Sequence, residues 1–188
     1  MLKILCFLFM FLLFFSNCQT NRYINYDNED DVKIAVYGEN EWNFLKNYFT
    51  YRGYDVEMIF SGNFLIFKNI NEDVIMDILM LLELKLNIIA DNIANVNTTK
   101  TNEGGVFRRS FLAISAESGI EIQRDYITET RLVYDPTHPD SIVSGRLEGY
   151  VEMPNVDVVT EMVKMIVVQR LYERILEYAK LRFKNIIW

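Results

Sequence analysis

Two stretches of the chain carry apolar residues at alternating steps of four and three, and this spacing constrains the fold more than any other feature. Residues spaced in this way share one side of an α-helix, so the sequence predicts helices over 71–96 and 154–186. The first stripe consists of Ile75, Leu79, Leu82, Leu86, Ile89, Ile93 and Val96. The second stripe consists of Val158, Met162, Met165, Tyr172, Leu176, Ala179, Phe183 and Ile186, with Gln169 as its polar break. Because an apolar stripe needs a covering surface, we expect the two helices to pair as an antiparallel coiled coil.

Residues that favour helix starts precede both stripes. Asn71 suits the N-cap of the first helix, because its side-chain oxygen can accept a hydrogen bond from a backbone N–H of the first turn. In the second helix Pro154 suits the first turn, Asn155 suits the N-cap, and Asp157 places a negative charge where the helix dipole favours it. We therefore expect the segment that begins at Tyr150 to open the last helix.

The composition predicts a folded protein that does not bind nucleic acid. Of the 188 residues, 51% are apolar and 14% are aromatic, as in chains that bury a core. The formal net charge of −7 leaves no basic stripe that could neutralise phosphates. Both cysteines, Cys6 and Cys18, lie close to the N-terminus, so the rest of the chain has neither a disulfide nor a cysteine metal site.

The N-terminal stretch predicts an exported, lipid-anchored start that is followed by a tether. Lys3 precedes an apolar run from Ile4 to Phe15, which is short for a membrane span and typical of the core of a secretory signal peptide. The run leads into a loose version of the bacterial lipobox, which predicts a signal over 1–18 with Cys18 as the lipidated residue. Residues 19–31 are polar and are expected to form the tether. An uncleaved membrane anchor and a buried apolar start are the alternatives.

Residues 32–70 predict a small βαββ module. Its expected elements are a strand over Val32–Tyr37, a helix over Glu39–Arg52, a left-handed Gly53, and a hairpin with strands over Tyr54–Phe60 and Phe64–Phe67. A unit of this size has a thin core and carries no group of residues typical of a catalytic site. We therefore expect it to serve as a docking module.

The region over 104–150, between the two long helices, is predicted to be rich in β-structure. The expected strands are Val106–Ser115, Gly119–Gln123 and Thr130–Tyr134, and a polar connector over 141–149 follows them. Together with the long helices, this region gives an α+β fold. Arg108 and Arg109 are expected either to contact acidic residues of a neighbouring subunit or to form surface salt bridges, which are worth about 0–1 kcal/mol.

The segment from Asp135 to Asp140 contains the only histidine of the chain, His138, between two carboxylates. Such a group could orient an imidazole or join it on a metal ion. Pro136 and Pro139 instead favour a rigid turn, and no second histidine or downstream cysteine completes a set of metal ligands. We predict a structural turn, with no metal and no cofactor, and keep a metal-dependent enzyme as the alternative.

Four segments resemble bacterial flagellar rod proteins. Residues 86–98 resemble the N-terminal signature of rod and hook proteins, and residues 103–109, 134–140 and 149–165 resemble the FlgC family in particular. The residues that match the family motifs are Asn92, Asn95, Gly104, Gly105, Arg108, Asp135, Pro136, His138, Pro139, Pro154, Asn155, Asp157 and Glu161. The resemblance does not reach the first seventy or so residues, and the last helix departs from it at residues 167–169, where bulkier side chains replace small ones.

The resemblance implies an axial structural protein of the flagellar basal body, located in the periplasm, whose terminal helices bundle with other rod subunits and with copies of itself. Asn92 and Asn95 are expected to fix the packing register, or else simply to end the first helix. The sequence contains no phosphate-binding loop, dinucleotide motif or nucleophile elbow, so we expect no enzymatic activity. A rod protein is expected to lack a cleaved export signal, which leads to a second hypothesis: a lipid-anchored periplasmic accessory protein that binds the rod or the envelope.

Overall fold

The computed structural model describes residues 32–35, 39–61, 64–68, 70–115 and 119–183. The predicted signal, the lipidation of Cys18 and the tether over 19–31 lie outside the described residues. Within the described residues no helix is both long enough and apolar enough to cross a membrane.

The described elements are three helices and seven short antiparallel strands. In chain order they are β1 (Val32–Ala35), α1 (Glu39–Arg52), β2 (Glu57–Ser61), β3 (Phe64–Lys68), α2 (Glu72–Ala94), β4 (Ser110–Ser115), β5 (Gly119–Arg124), β6 (Arg131–Tyr134), β7 (Tyr150–Met153) and α3 (Val158–Arg182). Strand β3 lies between β1 and β2 in one sheet, whereas β4–β5 and β6–β7 form two separate pairs. This mixture of helices and antiparallel sheets agrees with the predicted α+β class.

Helices α2 and α3 pack against each other and run in opposite directions. Their polarity follows from a hydrogen bond between Asn92, near the end of α2, and Glu161, in the first turn of α3. The apolar stripe predicted for α2 lies largely in the interior of the chain: Ile75, Leu79, Leu82 and Ile89 are buried, and Leu86, Ile93 and Val96 are partly buried. The N-cap is also confirmed, because the Asn71 side chain accepts a hydrogen bond from the backbone N–H of Val74 at 2.9 Å.

The buried face of α3 differs from the predicted stripe. The residues that α3 buries are Glu161, Val168, Leu171, Ile175, Tyr178 and Ala179. Met162 is 52% exposed, and Val158, Met165, Tyr172 and Leu176 are only partly buried. The centre of the packed face therefore lies one residue away from the predicted one, about 100° around the helix. The prediction was wrong for Met162 and placed most of the other residues off centre: Ala179 is buried, and Met165, Tyr172, Leu176 and Phe183 pack against the core from its edge. The centre was misplaced because the packed face includes a carboxylate, while valine, methionine and isoleucine also occupy the exposed face.

The start of the last helix also differs from the prediction. Residues Tyr150–Met153 form strand β7, which pairs with β6, and the helix begins only at Val158. Asp157 is its N-cap and accepts a hydrogen bond from the backbone N–H of Val159 at 3.1 Å. Asn155, the predicted cap, is buried and bonds to other parts of the chain. The predicted helical residues beyond 183, including Ile186, lie outside the described residues.

The elements before residue 70 follow the predicted order, and Gly53 has a left-handed φ of +69°. Their packing is not that of a separate unit. Leu45, Tyr48 and Phe49 of α1 and Phe67 of β3 belong to the same hydrophobic core as the residues of α2 and α3. The long helices and the first elements therefore share one core.

The position of the packed face of α3 can be tested with two isoleucines of that helix. Ile175 is 3% exposed and Ile166 is 50% exposed. We expect Ile175→Ala to lower the free energy of unfolding by about 2–5 kcal/mol, because it leaves a cavity in the core. Ile166→Ala should change it by less than about 1 kcal/mol. Urea unfolding followed by circular dichroism measures both values, and equal losses would contradict the assigned face.

Candidate assembly site

A buried polar cluster joins the end of α2 to the start of β4. The Asn92 side chain is fully buried, and its Nδ2 donates to the carbonyl oxygen of Ser110 at 2.8 Å. Its Oδ1 accepts from the backbone N–H of Ser110, also at 2.8 Å. This one amide satisfies both backbone groups of Ser110, in the manner of a residue on a neighbouring strand.

Glu161 connects the same cluster to α3. Its side chain is only 1% exposed, and its Oε1 accepts hydrogen bonds from Arg109 Nε and Lys164 Nζ, each at 2.8 Å. Its Oε2 accepts from Asn92 Nδ2 at 3.1 Å. Burial alone would raise the pKa of the Glu161 carboxyl, but the hydrogen bonds from Lys164, Arg109 and Asn92 together lower it below its ordinary value. Glu161 is thus held as a buried carboxylate between two cations.

Asn155 completes the cluster from the segment that precedes α3. Its Oδ1 accepts from the backbone N–H of Arg109 at 2.9 Å, and its Nδ2 donates to the carbonyl oxygens of Asp125 and Thr128 at 3.2 and 3.3 Å. These bonds fix the segment between β7 and α3 against the start of β4 and the loop after β5. We call the six residues Asn92, Arg109, Ser110, Asn155, Glu161 and Lys164 the polar junction.

The exposed side of α3 carries a second apolar surface. Its four members lie at helical spacing and are 50–70% exposed, and we call them the outer stripe: Val159, Met162, Val163 and Ile166. The stripe begins in the first turn of the helix, next to Glu161, so the polar junction holds its helical backbone in place. This stripe is our candidate for a surface that another protein covers.

Comparisons with known proteins show the family to which this chain is related. The family model described as flagella basal body rod protein matches residues 79–100, and the one described as flagellar basal body rod FlgEFG protein C-terminal matches residues 147–175. The flagellar basal-body rod protein FlgC of Borreliella burgdorferi is 40% identical over 113 residues, which cover 48% of this chain and 74% of that protein. This chain belongs to the FlgC family. The FlgC of Bacillus subtilis is 31% identical over 114 residues, covering 47% of this chain and 73% of that protein.

Membership of the FlgC family confirms the resemblance that the sequence motifs indicated. The family consists of structural rod proteins, so the chain is a structural protein of the flagellar basal body and not an enzyme. Asn92 lies in the first matched range, and Asn155, Glu161 and the outer stripe lie in the second. Residues 39–68 lie outside both ranges.

The polar junction brings together three of the motif residues, Asn92, Asn155 and Glu161. Sequence reasoning did not include Ser110 or Lys164, although Lys164 lies three residues after Glu161, a spacing at which helix side chains meet. Arg109 forms its ion pair with the buried carboxylate of Glu161 in its own chain, at 2.8 Å, and not with an exposed carboxylate.

The remaining motif residues lie elsewhere in the FlgC-family fold. Asn95 ends α2, where its Nδ2 donates to the backbone oxygen of Asp91 at 2.9 Å, so the capping alternative holds for Asn95 but not for Asn92. Gly104 and Gly105 have left-handed φ values in a turn after that helix. Arg108 forms an exposed ion pair with Glu152 at 3.4 Å.

The segment from Asp135 to Asp140 forms a turn whose polar groups bond to one another and to Thr99. The Asp135 carboxylate accepts from the Thr137 hydroxyl at 2.7 Å, and hydrogen bonds from Thr137 lower the pKa of Asp135. His138 Nδ1 accepts from the backbone N–H of Asp140 at 3.0 Å, and the Asp140 carboxylate accepts from Thr99. In the described part of the chain no group of three or more His, Cys, Asp and Glu residues could hold a metal ion.

Substitution of Glu161 should show how much the polar junction stabilises the subunit. We expect Glu161→Gln to lower the free energy of unfolding near pH 7 by about 2–3 kcal/mol, because two cations lose a buried partner. The folded pKa of Glu161 lies below its ordinary value of 4.5, so its contribution is complete above that pH and is lost as pH falls through the folded pKa. The difference in free energy of unfolding between wild type and Glu161→Gln should therefore become smaller as the pH falls.

Urea unfolding at several pH values measures this difference. Glu152→Gln is the matched control, because it removes an exposed carboxylate that also pairs with an arginine. Glu152→Gln should lower the free energy of unfolding by no more than about 1 kcal/mol. A Glu161→Gln protein whose deficit stays constant down to about pH 3 would contradict the assigned charge state.

Proposed function

We propose that this FlgC-family chain works as a structural subunit of the rod, in the periplasmic part of the basal body, and contacts a helix of a neighbouring rod subunit through the outer stripe of α3. The observation that carries the proposal is the exposure of Val159, Met162, Val163 and Ile166 within the matched C-terminal range. Covering these side chains would remove apolar surface from water, which gains about 25 cal/mol per Å².

The polar junction explains how one subunit can present this stripe in a fixed direction. Glu161 and Asn92 tie the start of α3 to the end of α2, and Asn155 ties the preceding segment to β4. A buried charge that loses its partners costs several kcal/mol, so α3 cannot rotate or slide by a residue without a large loss of stability. A rod built from many subunits needs the same contact direction in each of them.

The pairing of α2 with α3 is proposed to be a coiled coil, and its buried residues stabilise the subunit itself. The predicted packing residues of α2 are largely covered within the chain, so we assign the contact with a neighbour to the outer stripe, which includes the predicted Met162. Charged residues follow the stripe along the same helix, among them Glu173, Arg174 and Glu177. Charges beside an apolar stripe select the partner helix and its orientation.

Placing a charge in the outer stripe tests the proposed contact. We expect Val163→Glu to fold as the parent does, because this side chain is 55% exposed, but to lower sharply the amount of the protein in purified basal bodies. A buried, unpaired carboxylate in the contact is the physical reason. The measurement is quantitative immunoblotting of basal bodies from cells in which the variant replaces the native protein, together with swimming in soft agar.

The matched control is Val143→Glu, which makes the same substitution at an exposed position in the connector before β7. It should leave incorporation and swimming unchanged. If Val163→Glu is incorporated as well as Val143→Glu, the outer stripe is not the contact with a neighbouring subunit.

A lipid anchor on Cys18 is a separate part of the proposal and is supported by residues 4–18 of the sequence alone. The family relatives are rod proteins, which favours a rod subunit over an accessory protein; the anchor itself rests on the N-terminal sequence. Metabolic labelling with a radioactive fatty acid should mark the wild-type chain and not Cys18→Ala. Equal labelling of both, or of neither, would contradict lipidation of this cysteine.

A further inference from the structure

Residues 39–61 and 64–68, which we call the cover segment, lie outside both matched family ranges and pack onto the helix pair. Leu45 and Phe67 of this segment are fully buried, and Tyr48 and Phe49 are nearly so. The T-shaped contact between Phe49 and Phe67, with ring centroids 6.1 Å apart, joins α1 to β3 within the cover segment. The segment therefore contributes a substantial part of the core.

The first half of α2 shows why a second covering surface is required. Its buried residues form two adjacent stripes, Val74, Ile78 and Leu81 beside Ile75, Leu79 and Leu82. One partner helix covers a single stripe, whereas a helix that is apolar over a wider arc needs a second neighbour. In the second half of α2 the buried residues are only Ile88, Ile89 and Asn92. The wide apolar arc thus coincides with the part of α2 that shares its core with α1.

A polar contact fastens the cover segment to α2. The Asp77 carboxylate accepts hydrogen bonds from the hydroxyl groups of Tyr48 at 3.0 Å and Tyr54 at 2.5 Å, and it forms an ion pair with Arg52 at 2.6 Å. Burial and the hydrogen bond to Asp77 raise the pKa of the Tyr48 hydroxyl, so it remains a donor. Three groups of the cover segment thus converge on one side chain of α2.

The cover segment also contacts the β4–β5 pair. The Tyr51 side chain lies so close to Gly119, at the start of β5, that a Cβ atom there would be 2.5 Å from its hydroxyl oxygen. Gly119 also has a φ of +78°, which side chains disfavour. The cover segment is therefore held from two sides, by α2 and by β5.

We propose that the cover segment takes, within the chain, the place of a neighbouring subunit's helix on the α2–α3 pair, so that this subunit associates through the outer stripe alone. The inference rests on the proposed function, because a covered helix face matters only where helix faces associate. A subunit of this kind has one apolar face for a partner helix, where a bare helix pair would have two. Once this face is opened, its partner is a second copy of this chain, because identical subunits present the same wide apolar arc of α2 to each other and can cover it in a symmetric contact.

Asp77→Ala tests the inference in the full chain, purified in mild detergent. Loss of the carboxylate leaves two tyrosine hydroxyls and one guanidinium without this partner, which should speed amide hydrogen exchange in residues 39–68 by about tenfold to a hundredfold. Exchange in α2 and α3 should stay slow. Sedimentation velocity should then show association that increases with concentration and exceeds that of wild type at the same concentration. The matched control is Glu83→Ala, which removes an exposed carboxylate from the same helix.

A second variant, Leu45→Ala, tests the same inference by a different route. Leu45→Ala weakens the cover segment through its apolar contact and leaves Asp77 intact. If residues 39–68 exchange together with α2 and α3 in both variants, the cover segment is an inseparable part of one folding unit and the inference is wrong. If the segment opens and sedimentation stays as in wild type, the exposed face binds nothing and the inference is wrong as well.

The double variant Asp77→Ala with Val163→Glu separates this inference from the proposed function. Association through the opened face should persist, because the face does not include Val163. Disappearance of the association would assign it to the outer stripe and overturn the inference. Conversely, normal incorporation of Val163→Glu into basal bodies would overturn the proposed contact without affecting the behaviour of Asp77→Ala.

Discussion

The buried carboxylate of Glu161 is the interaction on which the rest of the structure depends. Its three donors come from α2, from the residue before β4 and from the next turn of α3, so the charge is compensated only when these parts are assembled. An apolar contact tolerates small shifts, whereas an unpaired buried charge does not. The junction therefore gives the helix pair a single register, and the hydrophobic residues beyond it supply most of the stability.

The parts of the fold that follow from local rules were predictable from the sequence. Asn71 caps α2 and the α2 stripe is packed, because a side-chain cap and a run of leucines and isoleucines need no knowledge of the rest of the chain. The start of α3 was not predictable in this way. Asn155 and Asp157 are equally good caps by residue type, and only the bonds from Asn155 to Arg109, Asp125 and Thr128 decide between them. Strand β7 was missed for the same reason, since its four residues are ordered by pairing with β6.

The sequence indicated several residues of the candidate site but not their arrangement in space. Family motifs indicated Asn92, Asn155 and Glu161, but their spacing along the chain gave no reason to expect them in one cluster. The packed face of α3 was misplaced because apolar residues lie on both sides of this helix. A helix that faces a core on one side and a partner subunit on the other carries two stripes, and periodicity alone cannot assign each stripe to its neighbour. The same ambiguity applies to the first half of α2, where two adjacent stripes are both buried.

The contact between Asn92 and Ser110 has a consequence for solubility. The backbone oxygen of Arg109 bonds toward the β5 side, to Asp125, so the N–H and C=O of the next residue point away from that strand. These are the groups that an incoming strand of another molecule would use for edge-to-edge pairing. Because the Asn92 side chain bonds to both groups, Ser110, the first residue of β4, cannot pair with a strand of another molecule. A strand of another molecule could pair at this position only after both hydrogen bonds between Asn92 and Ser110 were broken.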